Sequence, residues 1–327
     1  MPSEFELIRK YFIRPTTHTE LGVGDDCAVV RLDQGMTLAI STDMLVSGTH
    51  FFPDAEPFQL GHKVLAVNLS DLAAMGAKPR WGTLAVALPR VDESWIDAFA
   101  RGFFSLAERY DVDLIGGDTT RGPLNFCVQI MGEVPIGKAI RRDGAKPGDD
   151  VWVSGELGDA ALALAHLQGR IQLDEKIVAG ILPRLHMPMP RIELGLALPE
   201  LATSCIDISD GLLGDLGHIL ERSYVGAEVW LDAIPRSNGI DHCLERANST
   251  LNQEKSLAQQ CMLAGGDDYE LCFTASTDTR TAIESLSHKL KLRLTRIGQI
   301  HEGTRLDVLD QNRQPIPISV TGFDHFQ

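Results

Sequence analysis

The sequence predicts an α/β (α+β) protein built from two mixed α/β domains, the second a sheet flanked by helices. Three observations lead there. Strand-like runs alternate with helix-period stretches along the whole chain, the alternation starts afresh near residue 150, and 327 residues suit two ordinary domains better than one. The segment from Pro135 to Asp150, rich in Gly, Pro and basic residues, reads as the boundary, which sets the domains at 1–137 and 138–327.

In the first half, Ala28–Leu32 and Thr37–Ser41 read as short strands separated by the turn-like Asp33-Gln34-Gly35. Phe58 to Met75 reads as a helix that is apolar on most sides, through Leu65, Leu69 and Leu72 on one face and Leu60, Val64 and Val67 on the next. A helix greasy all round is a buried one. Thr83–Leu88 is strand-like, and Asp92 caps a helix whose stripe is Ile96, Phe99, Phe103, Leu106 and Tyr110. Strands at Val112–Ile115 and Phe126–Val134 follow. In the second half, a strand at Val151–Ser154, a turn at Gly155 to Gly158 and a helix from Asp159 to Leu167 open the pattern again. A helix with Leu213, Leu216 and Leu220 comes next, then strands at Ala227–Leu231 and Tyr269–Thr274 and a helix with Ile283, Leu286 and Leu290. The chain closes with a strand pair around Thr295–Ile300 and Arg305–Leu309, while Gly239 to Lys255 is polar and irregular and reads as a mobile loop.

Composition excludes several function classes. Apolar residues at 44% and charged residues at 23% describe a globular chain, with no apolar run long enough to span a membrane and no signal-like h-region near the start. Six cysteines stand singly, several in apolar runs, as buried free thiols of a reducing compartment do, so a cytoplasmic location is expected. A net charge of −15 without a Lys/Arg cluster argues against nucleic acid as a partner.

The chemistry lies in carboxylates set beside glycine or hydroxyl residues. There is no G-x-x-x-x-G-K-[ST] loop and no protein-kinase H-R-D or D-F-G set. Gly24-Asp25-Asp26 precedes the first strand, where an acidic turn is the plainer explanation. Ser41-Thr42-Asp43 ends the second strand and fits a helix N-cap equally well. Asp71 sits on the buried helix, three residues after Asn68, where an ionised carboxylate is costly unless paired or metal-bound. Gly116-Gly117-Asp118 follows a strand; its glycines would let backbone approach a phosphate, and Asp118 is placed to hold a hard cation. In Asp207-Ile208-Ser209-Asp210-Gly211, Asp210 fits a helix N-cap and Asp207 is surplus to that need. Gly265-Gly266-Asp267-Asp268-Tyr269-Glu270 repeats the theme before a strand, whereas Ser154-Gly155-x-x-Gly158 reads as a helix-start turn with a minor phosphate role. Turn chemistry explains each site separately but not six of them together. Oxygen donors without a His/Cys grouping point to a hard metal, Mg²⁺ or Mn²⁺.

In order along the chain, GVGDDCA, STDMLVSGTHF, KVLAVNLSDLAAMGAKP, LIGGDTTRG, GAKPGD, IDISDGLLGDLGH, GGDDYEL and GFDHF resemble the thiamine-monophosphate kinase family. That family shares a superfamily with aminoimidazole ribonucleotide synthetase, selenophosphate synthetase and the hydrogenase maturation factor HypE. The resemblance runs from about Gly22 to Phe326. It implies an ATP-dependent phosphorylation of thiamine monophosphate to thiamine pyrophosphate, by direct in-line transfer assisted by several Mg²⁺ ions. It implies that Asp26, Ser41, Thr42, Asp43, Asp71, Asp118 and Asp207 bind a metal cluster, with Asp210 on a further ion. It places ATP against Gly117, Asp118, Arg142 and Ser209, and thiamine phosphate against His50, Asp267 and Phe323. The family often has Glu where Asp267 stands, and Tyr or Trp in the place of Phe323, so the type of group is kept. The resemblance also implies a homodimer in which the N-terminal sheets pair into a barrel. No residue is required as a catalytic acid or base, because a phosphate oxygen is already ionised near neutral pH. Rival readings are another ATP-dependent member of the superfamily, a two-metal phosphohydrolase with water as acceptor, and a non-catalytic metal-binding protein.

Overall fold

The structure is a computed structural model that describes residues 3–245, 252–317 and 322. The chain divides into two compact units: the first runs to Leu72 and resumes over Ala77–Ala139, and the second takes Ala73–Gly76 with the chain from Ile140 onward.

The first unit opens with helix α1 (Glu4–Leu7), which runs into a π-helical turn at Ile8–Phe12. The hairpin β1 (Thr19–Leu21) and β2 (Val29–Val30) follows, then β3 (Met36–Val46), α2 (Pro57–Ala74), β4 (Lys78–Leu88), α3 (Glu93–Arg109), β5 (Asp113–Arg121) and β6 (Asn125–Pro135). The four long strands form one sheet in the order β3-β6-β4-β5. β6 is antiparallel to β3 and β4, while β5 lies parallel to β4 across the α3 connection, as a crossover helix permits. Helix α2 is as buried as its composition demands, with Val64, Leu65, Ala66 and Leu69 fully enclosed. Asp92 caps α3 by accepting the Trp95 N–H at 3.2 Å. The apolar stripe of α3 meets the sheet through Phe99, whose ring stacks on Phe126 with centroids 4.6 Å apart. Two glycines let α2 and α3 touch backbone to backbone. A Cβ at Gly61 would lie 2.0 Å from the Phe99 carbonyl oxygen, and one at Gly102 1.9 Å from that of Phe58.

Two strands run further than expected. β3 pairs with β6 from Met36 opposite Pro135 to Val46 opposite Asn125, so Ser41-Thr42-Asp43 lies inside the strand and not at its end. β5 stays paired with β4 as far as Arg121, which draws Gly116-Gly117-Asp118 into the sheet as well. Glycine and aspartate disfavour strands locally, and long-range pairing overrides them here.

The second unit contains β7 (Asp150–Ser154), α4 (Asp159–Leu167), α5 (Glu175–His186), α6 (Ile192–Ala197), β8 (Ala202–Asp207), α7 (Leu212–Ser223) and β9 (Gly226–Trp230). α8 (Asn238–Glu245), α9 (Asn252–Ala264), β10 (Leu271–Ala275), α10 (Arg280–Leu290), β11 (Leu294–His301) and β12 (Leu306–Leu309) complete it. Its sheet has the order β12-β9-β11-β7-β10-β8. The last two strands do not pair with each other: β9 lies between them, antiparallel to β11 and parallel to β12. The expected loop from Gly239 is helical where it is described, because Ile240 and Cys243 of α8 and Ala258 and Cys261 of α9 turn into the core. Residues 246–251 lie outside the described residues. Helices α5 and α6 and strand β8 were not anticipated. Cys205, Cys243, Cys261 and Cys272 are buried, but Cys127 is only half-buried and Cys27 is exposed. Among the described residues no helix is long and apolar enough to cross a membrane.

The α2–α3 contact has no room for a methyl group. Gly102→Ala should cost about 1–3 kcal/mol, seen as a lower urea midpoint with an unchanged m-value.

Candidate active site

In the first unit, alternation along β3 divides the hydroxyl and carboxylate residues between two faces. Ser41 and Asp43 face α2. The Ser41 hydroxyl donates to Asp71 Oδ2 at 2.5 Å, and the Asp43 N–H donates to Asn68 Oδ1 at 3.1 Å. The Asn68 amide is itself held by donating to the Val64 carbonyl at 3.0 Å. Asn68 and Asp71, three residues apart on one helix face, therefore clamp the middle of the strand. The half-buried Asp71 carboxylate gains a hydroxyl donor, which offsets part of its desolvation. Thr42 points the other way, exposed, and its hydroxyl accepts from the Gln129 amide at 3.4 Å.

At the far edge of this sheet, Asp26, Gly117 and Asp118 line one pocket of about 180 Å³ together with Cys27 and Leu84. Gly117 has φ +146°, and a Cβ there would lie 1.8 Å from the Leu84 carbonyl oxygen. The close approach that this glycine permits is thus to β4. The loop carrying Asp26 is anchored through Asp113, the first residue of β5. Its buried carboxylate accepts the Thr17 N–H at 2.9 and 3.0 Å, the His18 N–H at 2.7 Å and the Thr19 hydroxyl at 2.7 Å. His50 closes the turn after β3; its Nδ1 accepts the Val46 N–H at 3.0 Å, so the ring proton sits on Nε2.

In the second unit, pairing between β8 and β10 continues past both strand ends. Ile208 N–H donates to the Glu270 carbonyl at 2.8 Å, Tyr269 N–H to Ile208 at 2.8 Å and Asp267 N–H to Ser209 at 2.9 Å. These bonds bring Asp207, Ser209, Asp210 and Asp267 together. Arg142, in the same unit, is exposed, and its carbonyl accepts the Ser223 hydroxyl at 2.9 Å. Asp210 is not the cap of α7. Gly211 occupies that position, and the Asp215 carboxylate turns back to accept the N–H groups of Ser209, Asp210 and Gly211 at 3.0, 3.1 and 3.1 Å. Burial pushes the Asp215 carboxyl up to about 7 in spite of those donors.

The Gly265–Glu270 motif divides into two pairs. Asp268 accepts the Gly158 N–H at 3.1 and 3.0 Å where α4 begins, and burial pushes it well above the usual carboxylate range. Glu270 is buried in a two-pronged contact with Arg191, Nε to Oε2 at 2.6 Å and Nη2 to Oε1, and takes the Ser154 hydroxyl at 2.5 Å. The Ser154-Gly155-x-x-Gly158 turn therefore already holds the protein's own carboxylates, and the phosphate role expected of it falls away. Asp267 and Tyr269 form the other pair. Both have left-handed backbone, φ +69° and +50°, and the Tyr269 hydroxyl donates to Asp267 Oδ1 at 3.0 Å. Such conformations cost on the order of 1–3 kcal/mol each and persist only where the surroundings enforce them.

Phe323 lies outside the described residues. Among the described residues no three His, Cys, Asp or Glu side chains form a group able to hold a metal ion by themselves. Sequence reasoning passed over Asp113, Asp215, Tyr269 and the anchoring role of Glu270. Only Asp215 carried a signal, as an acid in the first turn of a helix.

Comparison with known proteins adds the family. The model of the AIR synthase related protein N-terminal domain matches residues 24–134, and that of the C-terminal domain matches residues 146–311. A thiamine-monophosphate kinase of Salmonella typhimurium is 46% identical over 327 residues, covering 99% of this chain and 98% of that one. The crystal structure of thiamine-monophosphate kinase from Stenotrophomonas maltophilia superposes with a TM-score of 0.82 at 48% identity, covering 89% of this chain and 91% of that one. A solved AaThiL complexed with AMPPCP and TMP superposes with a TM-score of 0.77 at 28% identity, covering 90% and 89% of the two chains.

Asp215 makes stability depend on pH. Its carboxyl is raised from 3.8 to about 7 in the folded chain, so the folded state binds more protons than the unfolded one between those values. Without divalent ions, the contribution of Asp215 to stability should fall as pH rises from about 4 to about 7 and then level off, and the difference in melting temperature between the parent and Asp215→Asn should change across that window accordingly.

Proposed function

The chain belongs to the AIR synthase related family, in its thiamine-monophosphate kinase branch, and on that footing we propose that it transfers the γ-phosphoryl group of ATP to thiamine monophosphate. The full-length match to thiamine-monophosphate kinases carries this reading. A phosphate oxygen of thiamine monophosphate attacks the γ-phosphorus in line, the bond to the β–γ bridging oxygen breaks, and thiamine pyrophosphate and ADP result. The nucleophile is already an anion, so the chain's work is to position two anionic substrates.

Magnesium fits the donors present. Asp26, Ser41, Asp43, Asp71, Asp118, Asp207 and Asp210 offer only hard oxygen, in sets small enough to leave room for water and substrate phosphate, and Thr42, whose hydroxyl faces the other side of β3, would join them only through its main-chain oxygen. Bound there, the ions would supply charge neutralisation between the two substrates. The clamp of Ser41 and Asn68 on α2 and β3 fixes where Asp71 and Asp43 present their oxygens. Gly117, Asp118, Arg142 and Ser209 take the nucleotide. Ser209 meets it through the hydroxyl, since its N–H is given to Asp215. His50, with its proton on Nε2, donates to the acceptor's phosphate, and Asp267 and Phe323 take the thiamine portion. The protein works as a cytoplasmic homodimer whose N-terminal sheets pair. Ile40 and Met44, each 56% exposed, flank Thr42 on the outer face of β3 and give it two exposed apolar side chains, which supports the pairing.

Purified protein given ATP, Mg²⁺ and thiamine monophosphate should form thiamine pyrophosphate and ADP in equal amounts; ADP alone would favour a phosphohydrolase. Asp71→Asn should lower turnover by about a hundredfold or more with unchanged thermal unfolding. Near-normal turnover in that variant would remove Asp71 from the metal site.

A further inference from the structure

We propose that Tyr269 is a specificity-determining residue of the acceptor site: its hydroxyl fixes the Asp267 carboxylate to receive the ring amine of the substrate, and its ring offers that heteroaromatic an apolar face. The inference rests on the kinase reading above and deepens it.

The backbone is the first ground. Asp111, Tyr224, Asp267, Tyr269, Lys291 and Arg313 are the non-glycine residues with positive φ among those described. Tyr224 and Lys291 end helices, where the left-handed form is ordinary. Asp267 and Tyr269 instead stand two residues apart at the entry to β10, where an extended chain would be cheaper. A bulky aromatic in this conformation is a true outlier, and such outliers gather at ligand sites.

The second ground is how firmly the outlier is held. The N–H groups of Asp267 and Tyr269 are tied to Ser209 and Ile208, and the intervening Asp268 is tied to Gly158. Glu270 follows, locked to Arg191 and Ser154. Gly266 packs so closely that a Cβ would lie 2.4 Å from the Ser209 carbonyl oxygen. The segment is therefore built to turn the side chains of residues 267 and 269 to one side, away from their inward neighbours.

The third ground is the pair itself. A tyrosine hydroxyl on Asp267 Oδ1, at 3.0 Å, sets the plane of the carboxylate beside the Ser209-Asp210 loop. Both side chains are half-buried, which strengthens a hydrogen bond to an amine without the full cost of enclosing a charge. A carboxylate fixed in this way discriminates an amino group from a carbonyl oxygen at the same ring position, because the carbonyl offers it no proton.

The test compares Tyr269→Phe with the parent on thiamine monophosphate and on its 4-oxo analogue, the monophosphate of oxythiamine. In Tyr269→Phe the KM for thiamine monophosphate should rise about tenfold, with the KM for ATP and the melting temperature unchanged. The preference for the amino over the oxo substrate, as a ratio of kcat/KM, should shrink by a similar factor. Asp267→Asn should abolish most of that preference, and the double variant should lose little more than Asp267→Asn alone, as a coupled pair requires. A Tyr269→Phe variant whose KM and preference stay within about twofold of the parent would overturn the proposal, as would losses shared equally by both substrates and by stability. If the parent itself does not phosphorylate thiamine monophosphate, the kinase reading falls first; if it does and Tyr269→Phe is indistinguishable from it, the tyrosine assignment falls alone.

Discussion

Main-chain N–H groups gathered on buried or half-buried carboxylates hold the functional loops of this protein in place. Asp113 collects the segment that leads to Asp26, Asp215 collects Ser209, Asp210 and Gly211, and Asp268 takes the N–H at the start of α4. Taking a carboxylate out of water is costly, and several backbone donors offset that cost while fixing the chain that carries them. For Asp215 the balance is legible: three donors pull its carboxyl down, and burial still carries it up to about 7. The acids of this chain thus fall into two kinds. Some are spent inside the protein as fasteners, and others, such as Asp26 and Asp118, remain exposed on the loops and strands so fastened.

The parts of the fold governed by neighbours in sequence were legible from it. Helix α2 announced its burial by being apolar on most sides, and Asp92 announced the start of α3. What escaped depended on partners far along the chain. β3 and β5 run through Ser, Thr, Gly and Asp because β6 and β4 pair with them along those stretches, and nothing in the short stretches themselves records it. β11 and β12 are consecutive, yet β9 separates them in the sheet. Helix α8 looked irregular because its buried side is only Gly239, Ile240 and Cys243.

The candidate site was legible as motifs and opaque as roles. Sequence order gathers Asp267, Asp268, Tyr269 and Glu270 into one acidic cluster; the two left-handed residues decide which of them turn inward. Asp268 and Glu270 go to Gly158 and Arg191, leaving Asp267 with Tyr269. Likewise Ser41, Thr42 and Asp43 are adjacent in sequence, but strand alternation sends Thr42 to the face opposite the other two. Asp113 sits just before the Gly116-Gly117-Asp118 motif but is no part of it, and its function appears only when Thr17, His18 and Thr19 are seen against it.

The left-handed corner at Asp267 and Tyr269 also bears on how the molecule matures. No local preference draws a tyrosine into that shape, so a nascent chain has nothing there to nucleate. The corner forms only once β8 and β10 have docked and their closing bonds have claimed the strained amides. If this pair reads the acceptor as proposed, its recognition is a late product of folding, and a molecule that has lost that docking would lose its grip on the acceptor at the same moment.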